Sequence, residues 1–538
     1  MKRFDRRSLL QYSGVAAASL ALPAKALAWD HAPRAATTAG KVSGLVEDGV
    51  NVFKGIPYGG DTAKTRFKAP SPPKPWKGVM ECTGFTKMAP QLAPLRAAGG
   101  AVPRIARNQG VQSEDCLHLN VWTAALRDRR KRPVLVYFHG GAYNNGTVNS
   151  ALYDGKRLVH RGDVVVVTVN HRLNAFGYLY LGDLAPEYAQ SGNAGQLDLV
   201  LALKWVRDNI AEFGGDPSRV LIFGQSGGGA KCAALMATGA AKGLFHRVMT
   251  MSGQQIKGAS IEIASGRART VLEKMRVVPG KDLAAQLDAL TMEQIQEGAR
   301  AVSSDWLPVV DNVVLSRNPF EPDAPALSEM VPMILGNTHD ETNVPSREKM
   351  TWETVPAALK SAVSEYLGPY TAEQVVAKYR EIYPNYTPEQ VATAAATAFR
   401  AWPGQRWEAE RRAANPKSQP HTWVYQMNFP GAGGKAMHTI DIPFMFDNIA
   451  MAEAQVGSAP EQLRTANALA AIMSEMLITY ARMGNPNFAG LPTWPAYDLT
   501  NRSTMMWERT PRIENDPRSA ERVFAEKSHY HQAGTPLP

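Results

Sequence analysis

Apolar residues fall along this chain in two alternating textures. Short unbroken runs come first: Pro133-Val-Leu-Val-Tyr-Phe138, Asp163-Val-Val-Val-Val-Thr-Val169 and Val220-Leu-Ile-Phe223. Runs of this length without polar interruption read as strands buried on both faces. His246–Met251, Met330–Gly336 and Thr422–Phe429 read as further strands, as does the alternating second half of Ser113–Trp122. Between two of these runs, Leu199, Leu203, Val206, Ile210 and Phe213 recur at helical spacing, which predicts an amphipathic helix from Asp198 to Phe213. Gly214-Gly215 ends it, and Asp216-Pro217 turns into the next strand. Strand, helix, strand, helix in succession predicts the α/β class with a mostly parallel central sheet. Residues 40–60 read as a small antiparallel region. Residues 258–300 and 350–416, rich in Ala, Glu, Lys, Arg and Gln, read as helical insertions forming a lid or gorge on one domain spanning 29–538.

One stretch carries chemistry as well as pattern. The run Val220–Phe223 meets Gly224-Gln-Ser-Gly-Gly228, and a helix-forming segment, Ala230–Met236, follows. Gly224 and Gly228 bracket Ser226 in the spacing G-x-S-x-G. A strand that reverses sharply into a helix needs small residues on both sides of the turn, and the turn lifts the serine hydroxyl above the sheet edge at the positive end of the helix. A glycine-rich loop with an incidental serine matches the short motif alone; the strand before it and the helix after it favour a nucleophile. A serine hydroxyl is a poor nucleophile at neutral pH and needs an imidazole, itself held by a carboxylate. In an α/β-hydrolase the order is serine, acid, histidine. Asp340 or Glu341 at a strand end, then His438 in the loop after a strand, fit that order. Upstream, His139-Gly-Gly-Ala142 closes a strand where glycines let backbone N–H groups approach a ligand; His139 itself reads as structural.

These residues bring the chain to a known family. It resembles the type B carboxylesterases, the group of bacterial esterases, animal carboxylesterases, cholinesterases and some lipases. The likeness rests on Phe53-Lys-Gly-Ile-Pro-Tyr58, Ser113-Glu-Asp-Cys-Leu117, His139-Gly-Gly141, Asn170-His-Arg172, Gly192-Asn-Ala-Gly195, Ala202-Leu-Lys-Trp-Val206, Phe213-Gly-Gly-Asp-Pro217, Gly484-Asn-Pro-Asn-Phe488 and Trp494-Pro-Ala-Tyr497. The resemblance implies an α/β-hydrolase fold, Ser226 as nucleophile, Glu341 as acid and His438 as base. It implies oxyanion donors on Gly141, Ala142 and Gly227, a supporting Ser252 near the triad, and structural ion pairs Arg66–Glu114 and Arg172–Asp198. Four positions depart from the family's pattern. Gln225 and Gly227 stand where it usually has Glu and Ala, Ala142 stands where some relatives have a third glycine, and Ala89 replaces the cysteine that partners Cys116, so the family's first disulfide is expected to be absent.

Composition adds limits. The net charge is +10 over 538 residues, and residues 1–28 contribute five Lys/Arg and one Asp. No basic cluster interleaved with aromatics points to nucleic acid. Arg6-Arg7-Ser-Leu-Leu10, a small-residue apolar run and Ala26-Leu-Ala28 resemble a twin-arginine export signal cleaved after Ala28, with a periplasmic or secreted product and no stable membrane insertion. Three cysteines make no disulfide framework; a Cys82–Cys116 bridge stays open, and Cys232 reads as a small buried side chain. His529-x-His531 is too few ligands for a metal site, and no cofactor is expected. The expected function is a serine carboxylesterase acting on a small-molecule ester. An amidase or peptidase on the same triad is the first alternative, and a non-catalytic binding member of the fold the second. Natural substrate and oligomeric state stay open.

Overall fold

The computed structural model describes residues 32–92, 110–302, 306–346, 348–528 and 530–535. The expected leader over 1–28, and His529, lie outside them. Fourteen strands are named here in chain order. The early ones are β1 (Arg34–Ala36), β2 (Lys41–Ser43), β3 (Leu45–Glu47), β4 (Val50–Pro57), β5 (Val79–Glu81) and β6 (His118–Thr123). The central ones are β7 (Arg132–Phe138), β8 (Val165–Val169), β9 (Gly215–Gln225), β10 (Arg247–Met251), β11 (Met333–Thr338) and β12 (Thr422–Met427), followed by β13 (Ser503–Trp507) and β14 (Arg512–Asn515).

Eleven strands form one sheet in the order β14-β13-β12-β11-β10-β9-β7-β8-β6-β4-β3. From β8 to β13 every pairing is parallel, and the edges are antiparallel. The apolar runs of the sequence are its middle. Alternation along each strand feeds two separate cores: Val134, Val136, Val220 and Ile222 face one side with the helix Ala194–Asn209, while Leu135, Tyr137, Leu221 and Phe223 face the other with the helix Pro460–Met483. Burial on both faces is why these strands read as continuous apolar runs rather than alternating ones.

Several expected boundaries move. The 198–213 helix starts earlier, at Ala194, and tightens into a 3-10 turn over Ile210–Phe213. Asp216-Pro217 is not a turn before the strand but a bulge inside β9: Arg132 pairs Gly215 while Val134 pairs Val220. The Asp216 carboxylate accepts from the Ser218 N–H, giving the bulge its own local bond. The 40–60 region splits, since β2 joins a separate three-stranded sheet with β1 and β5. The 350–416 insertion is also divided. Val355–Val363, Ala372–Ile382 and Pro388–Ala396 form their own apolar cluster. Trp402–Ala414 instead packs on β11 and β12 and contributes Ala409 to the central core. The helix Pro460–Met483 and the β13–β14 hairpin lie outside the elements the sequence pattern predicts. Over 258–300 the helices Ile261–Lys274, Leu283–Ala289 and Met292–Ala299 do form, the last opened by a capping box between Thr291 and Gln294.

Candidate active site

The turn from β9 into the helix Gly227–Met236 is as sharp as its glycines require. Ser226 sits there with φ 56° and ψ −127°, a conformation that costs a non-glycine residue and is held by its surroundings. Its N–H donates to Met251 O at 2.7 Å. A Cβ on Gly228 would lie 2.0 Å from Phe138 O, and one on Gly224 would lie 2.4 Å from Gly228 C. Neither position can carry a side chain while the elbow keeps this shape. The hydroxyl is half-buried at the head of the helix.

The acid and the imidazole come from loops after β11 and β12. Asp340 and Glu341, left open by residue order, separate here. Asp340 ties the two loops, accepting from Ala436 N at 2.8 Å and from the His339 ring. Glu341 turns to His438, whose Nδ1 donates to Glu341 Oε2. The other oxygen, Oε1, accepts from Thr338 N at 2.7 Å. Burial opposes the charge on Glu341, but His438, the Ser252 hydroxyl and the Thr338 N–H outweigh it and hold the carboxyl below its ordinary range. Burial likewise opposes protonation of His438, and the Glu341 carboxylate more than offsets it, so the imidazole is raised above its ordinary value. Ser226 and His438 form no hydrogen bond in this structure; such contacts often tighten only when substrate binds.

Gln225 touches the histidine directly. Its side-chain nitrogen lies 3.3 Å from His438 Nε2 and 3.5 Å from Nδ1, and the residue is buried. Ser252 is buried beside Glu341 in the left-handed region, φ 52°. Across the elbow runs Gly140-Gly141-Ala142. The N–H groups of Gly141 and Ala142 donate to no protein acceptor among the described residues, and Gly227 opens its helix, where no intrahelical acceptor exists. All eight candidate residues therefore lie on the two loops, the elbow and the strand ends that meet there. Both expected ion pairs form, Arg172 with Asp198 at 2.7 Å and Arg66 with Glu114 at 2.6 Å. The three cysteines are free thiols, all buried.

Two neighbours escaped sequence reading. Asp441, three residues after His438, is fully buried and accepts from the Tyr425 hydroxyl at 2.8 Å. Burial and the nearby Glu341 charge push its pKa up to about 7, and its charge adds to the field that favours protonated His438. The second is a π-helical turn over Thr397–Ala401, where Thr397 Oγ1 accepts from Thr342 N at 3.0 Å, bracing the residue after Glu341. A spacing of three from a histidine and a helix wound one residue wide leave no periodic signal. Among the described residues no group of three or more His, Cys, Asp or Glu side chains could hold a metal ion.

A mostly parallel sheet with a serine on a strand–helix elbow and loops converging at the strand ends defines an α/β-hydrolase. Sequence comparison narrows this: the carboxylesterase family model matches residues 31–525, and the chain belongs to that family. It is 34% identical over 509 residues to the para-nitrobenzyl esterase of Bacillus subtilis, covering 90% of this chain and 97% of that protein. The phenmedipham hydrolase of Pseudarthrobacter oxydans is 29% identical over 481 residues, 86% of this chain and 93% of its own length. Among solved structures, a carboxylesterase of Geobacillus stearothermophilus superposes with a TM-score of 0.77 at 33% identity, covering 91% of this chain and 99% of that one. The chain is a carboxylic ester hydrolase.

Proposed function

We propose that the enzyme cleaves esters through an acyl-enzyme on Ser226. The Ser226 oxygen attacks the ester carbonyl while His438 Nε2 takes its proton. The carbonyl electron pair moves onto oxygen, and the resulting oxyanion is bound by the N–H groups of Gly141, Ala142 and Gly227. Collapse of the intermediate expels the alcohol, which takes the proton from His438, and water repeats the cycle on the acyl group. Glu341 orients the ring and stabilises the imidazolium. The observation that carries the reading is the His438–Glu341 hydrogen bond set against a strained serine at the elbow. Substrates are small neutral carboxylic esters, since Gln225 puts an amide where a carboxylate would attract a cationic alcohol. Arg6-Arg7 and Ala26-Leu-Ala28 support export to the periplasm or beyond. The test is hydrolysis of p-nitrophenyl acetate by folded Ser226→Ala and His438→Ala: each should lose about 10^4-fold or more in kcat, and retention of wild-type turnover by either would refute the assignment.

A further inference from the structure

The elbow helix carries a charged group for which this chemistry has no use. Lys231 is fully buried. No carboxylate favours its charge, and burial pushes its pKa down to about 7. Its Nζ donates to Ala142 O at 2.7 Å and to His139 O at 3.2 Å, and lies 5.3 Å from the centre of the Tyr143 ring. A buried ammonium with no carboxylate partner is costly, and an apolar side chain would avoid that cost. The two carbonyls it holds bracket the peptides that present the Gly141 and Ala142 N–H groups.

Two further observations converge on the same contact. A Cβ on Gly227 would lie 2.3 Å from Ala142 O and 2.5 Å from Ala142 N, so the loop presses flat against the first residue of the helix. Ala142 also sits at φ 51°, in the left-handed region, which a non-glycine residue disfavours. The loop is thus strained and close to the helix, and Lys231 is bonded to it. The departures from the family's pattern at Ala142 and Gly227 fall on this one contact.

We propose that Lys231 is a positioning residue for the oxyanion site: its Nζ ties the His139 and Ala142 carbonyls down onto the elbow helix, fixing the Gly141 and Ala142 N–H groups. The inference rests on the serine-esterase reading. Its test pairs substrate kinetics with an alkyl trifluoromethyl ketone, to whose carbonyl carbon the Ser226 oxygen adds, the proton passing to His438 and the electron pair becoming an oxyanion. Organophosphonate labelling of Ser226 in the wild type is scored first, and absence of that label would defeat the serine reading itself. With the label present, Lys231→Met should lower kcat for p-nitrophenyl acetate about 100-fold. KM should stay within about threefold, and ketone affinity should fall by the same factor as kcat, because only tetrahedral states use the donors.

Gly227→Ala supplies the second readout. It should cost at least about tenfold in kcat with Lys231 present and less than about threefold in the Lys231→Met background, where the loop is free to lift. Circular dichroism and thermal melting establish that each variant is folded. Should Lys231→Met not fold, Lys231→Gln is read by the same criteria, with KM held and ketone affinity reduced. Unchanged kcat and ketone affinity in the folded Lys231 variant, or a Gly227→Ala cost equal in both backgrounds, would overturn the proposal.

Discussion

At the scale of single residues, the proposed mechanism makes the balance of charge around His438 set the pH range of the reaction. Glu341 and Asp441 favour the imidazolium, and Gln225 contributes an amide at 3.3 Å from Nε2. Gln225 does more than brace the loop, since its side chain meets the His438 ring. A carboxylate at that place would interact with the imidazolium by roughly 4 kcal/mol at 4 Å and an effective dielectric of 20. Desolvation removes part of that, yet about 1.4 kcal/mol already makes a tenfold difference. Gln225→Glu should therefore move the acidic limb of the kcat/KM profile upward by about one pH unit, because the added anion raises the pKa of the base. It should also narrow the preference for neutral over choline esters of equal acyl length. A pH profile and selectivity ratio identical to those of the wild type would contradict this account.

At the scale of elements, the clearest consequence concerns the helix Trp402–Ala414. Glu408 on that helix is fully buried, accepts from Gln255 N at 2.7 Å, and is pushed by burial to a pKa of about 8 against an ordinary 4.5. Folded, it is protonated at pH 7; unfolded, it is ionised. The unfolded state thus binds fewer protons, and this group draws stability down as pH rises from about 4.5 to about 8. Glu408→Gln keeps the acceptor for Gln255 and removes the titration. It should raise stability by roughly 2–3 kcal/mol at pH 7, with little gain at pH 4. Denaturant unfolding at both pH values checks this; an equal effect at the two would contradict it.

This helix also marks where sequence reading stops. Strands β7, β8 and β9 were legible because burial on both faces leaves an apolar run, and the helix before the elbow because Leu199, Leu203 and Val206 repeat on one face. Trp402–Ala414 was misplaced because its buried face contains Gln405, Glu408 and Arg412, so its composition resembles that of a surface helix. Pro460–Met483 was missed although Leu469, Met473, Met476, Leu477 and Tyr480 are buried: polar residues interleave with them and obscure the stripe. At the site, a turn motif and a chain order point to Ser226 and His438 but leave Asp340 and Glu341 open, and only the family resemblance singles out Glu341. Lys231 and Asp441 were not legible, because each is defined by what it meets in three dimensions.

At the scale of the whole molecule, the two helical clusters each bear on one half of the site. The first, over 261–299, packs with Tyr143, next to Gly141-Ala142. The second includes Val344 and Phe399, and its π turn bonds to Thr342 beside Glu341. The whole chain also bears on localisation. If residues 1–28 direct export, intact mass of protein recovered from the periplasm should begin at Trp29, and denatured, unreduced protein should titrate three thiols per chain. Recovery of full-length protein alone, or of fewer thiols, would count against those expectations.

The central claim is that Ser226 carries the acyl group, and it is tested by trapping that group. Wild-type enzyme mixed rapidly with p-nitrophenyl acetate and quenched in acid should yield an acetylated peptide, and fragmentation should place the acetyl on Ser226. The same experiment on folded Ser226→Ala should yield none. An acetyl group mapped to another residue, or steady turnover by Ser226→Ala, would contradict the account.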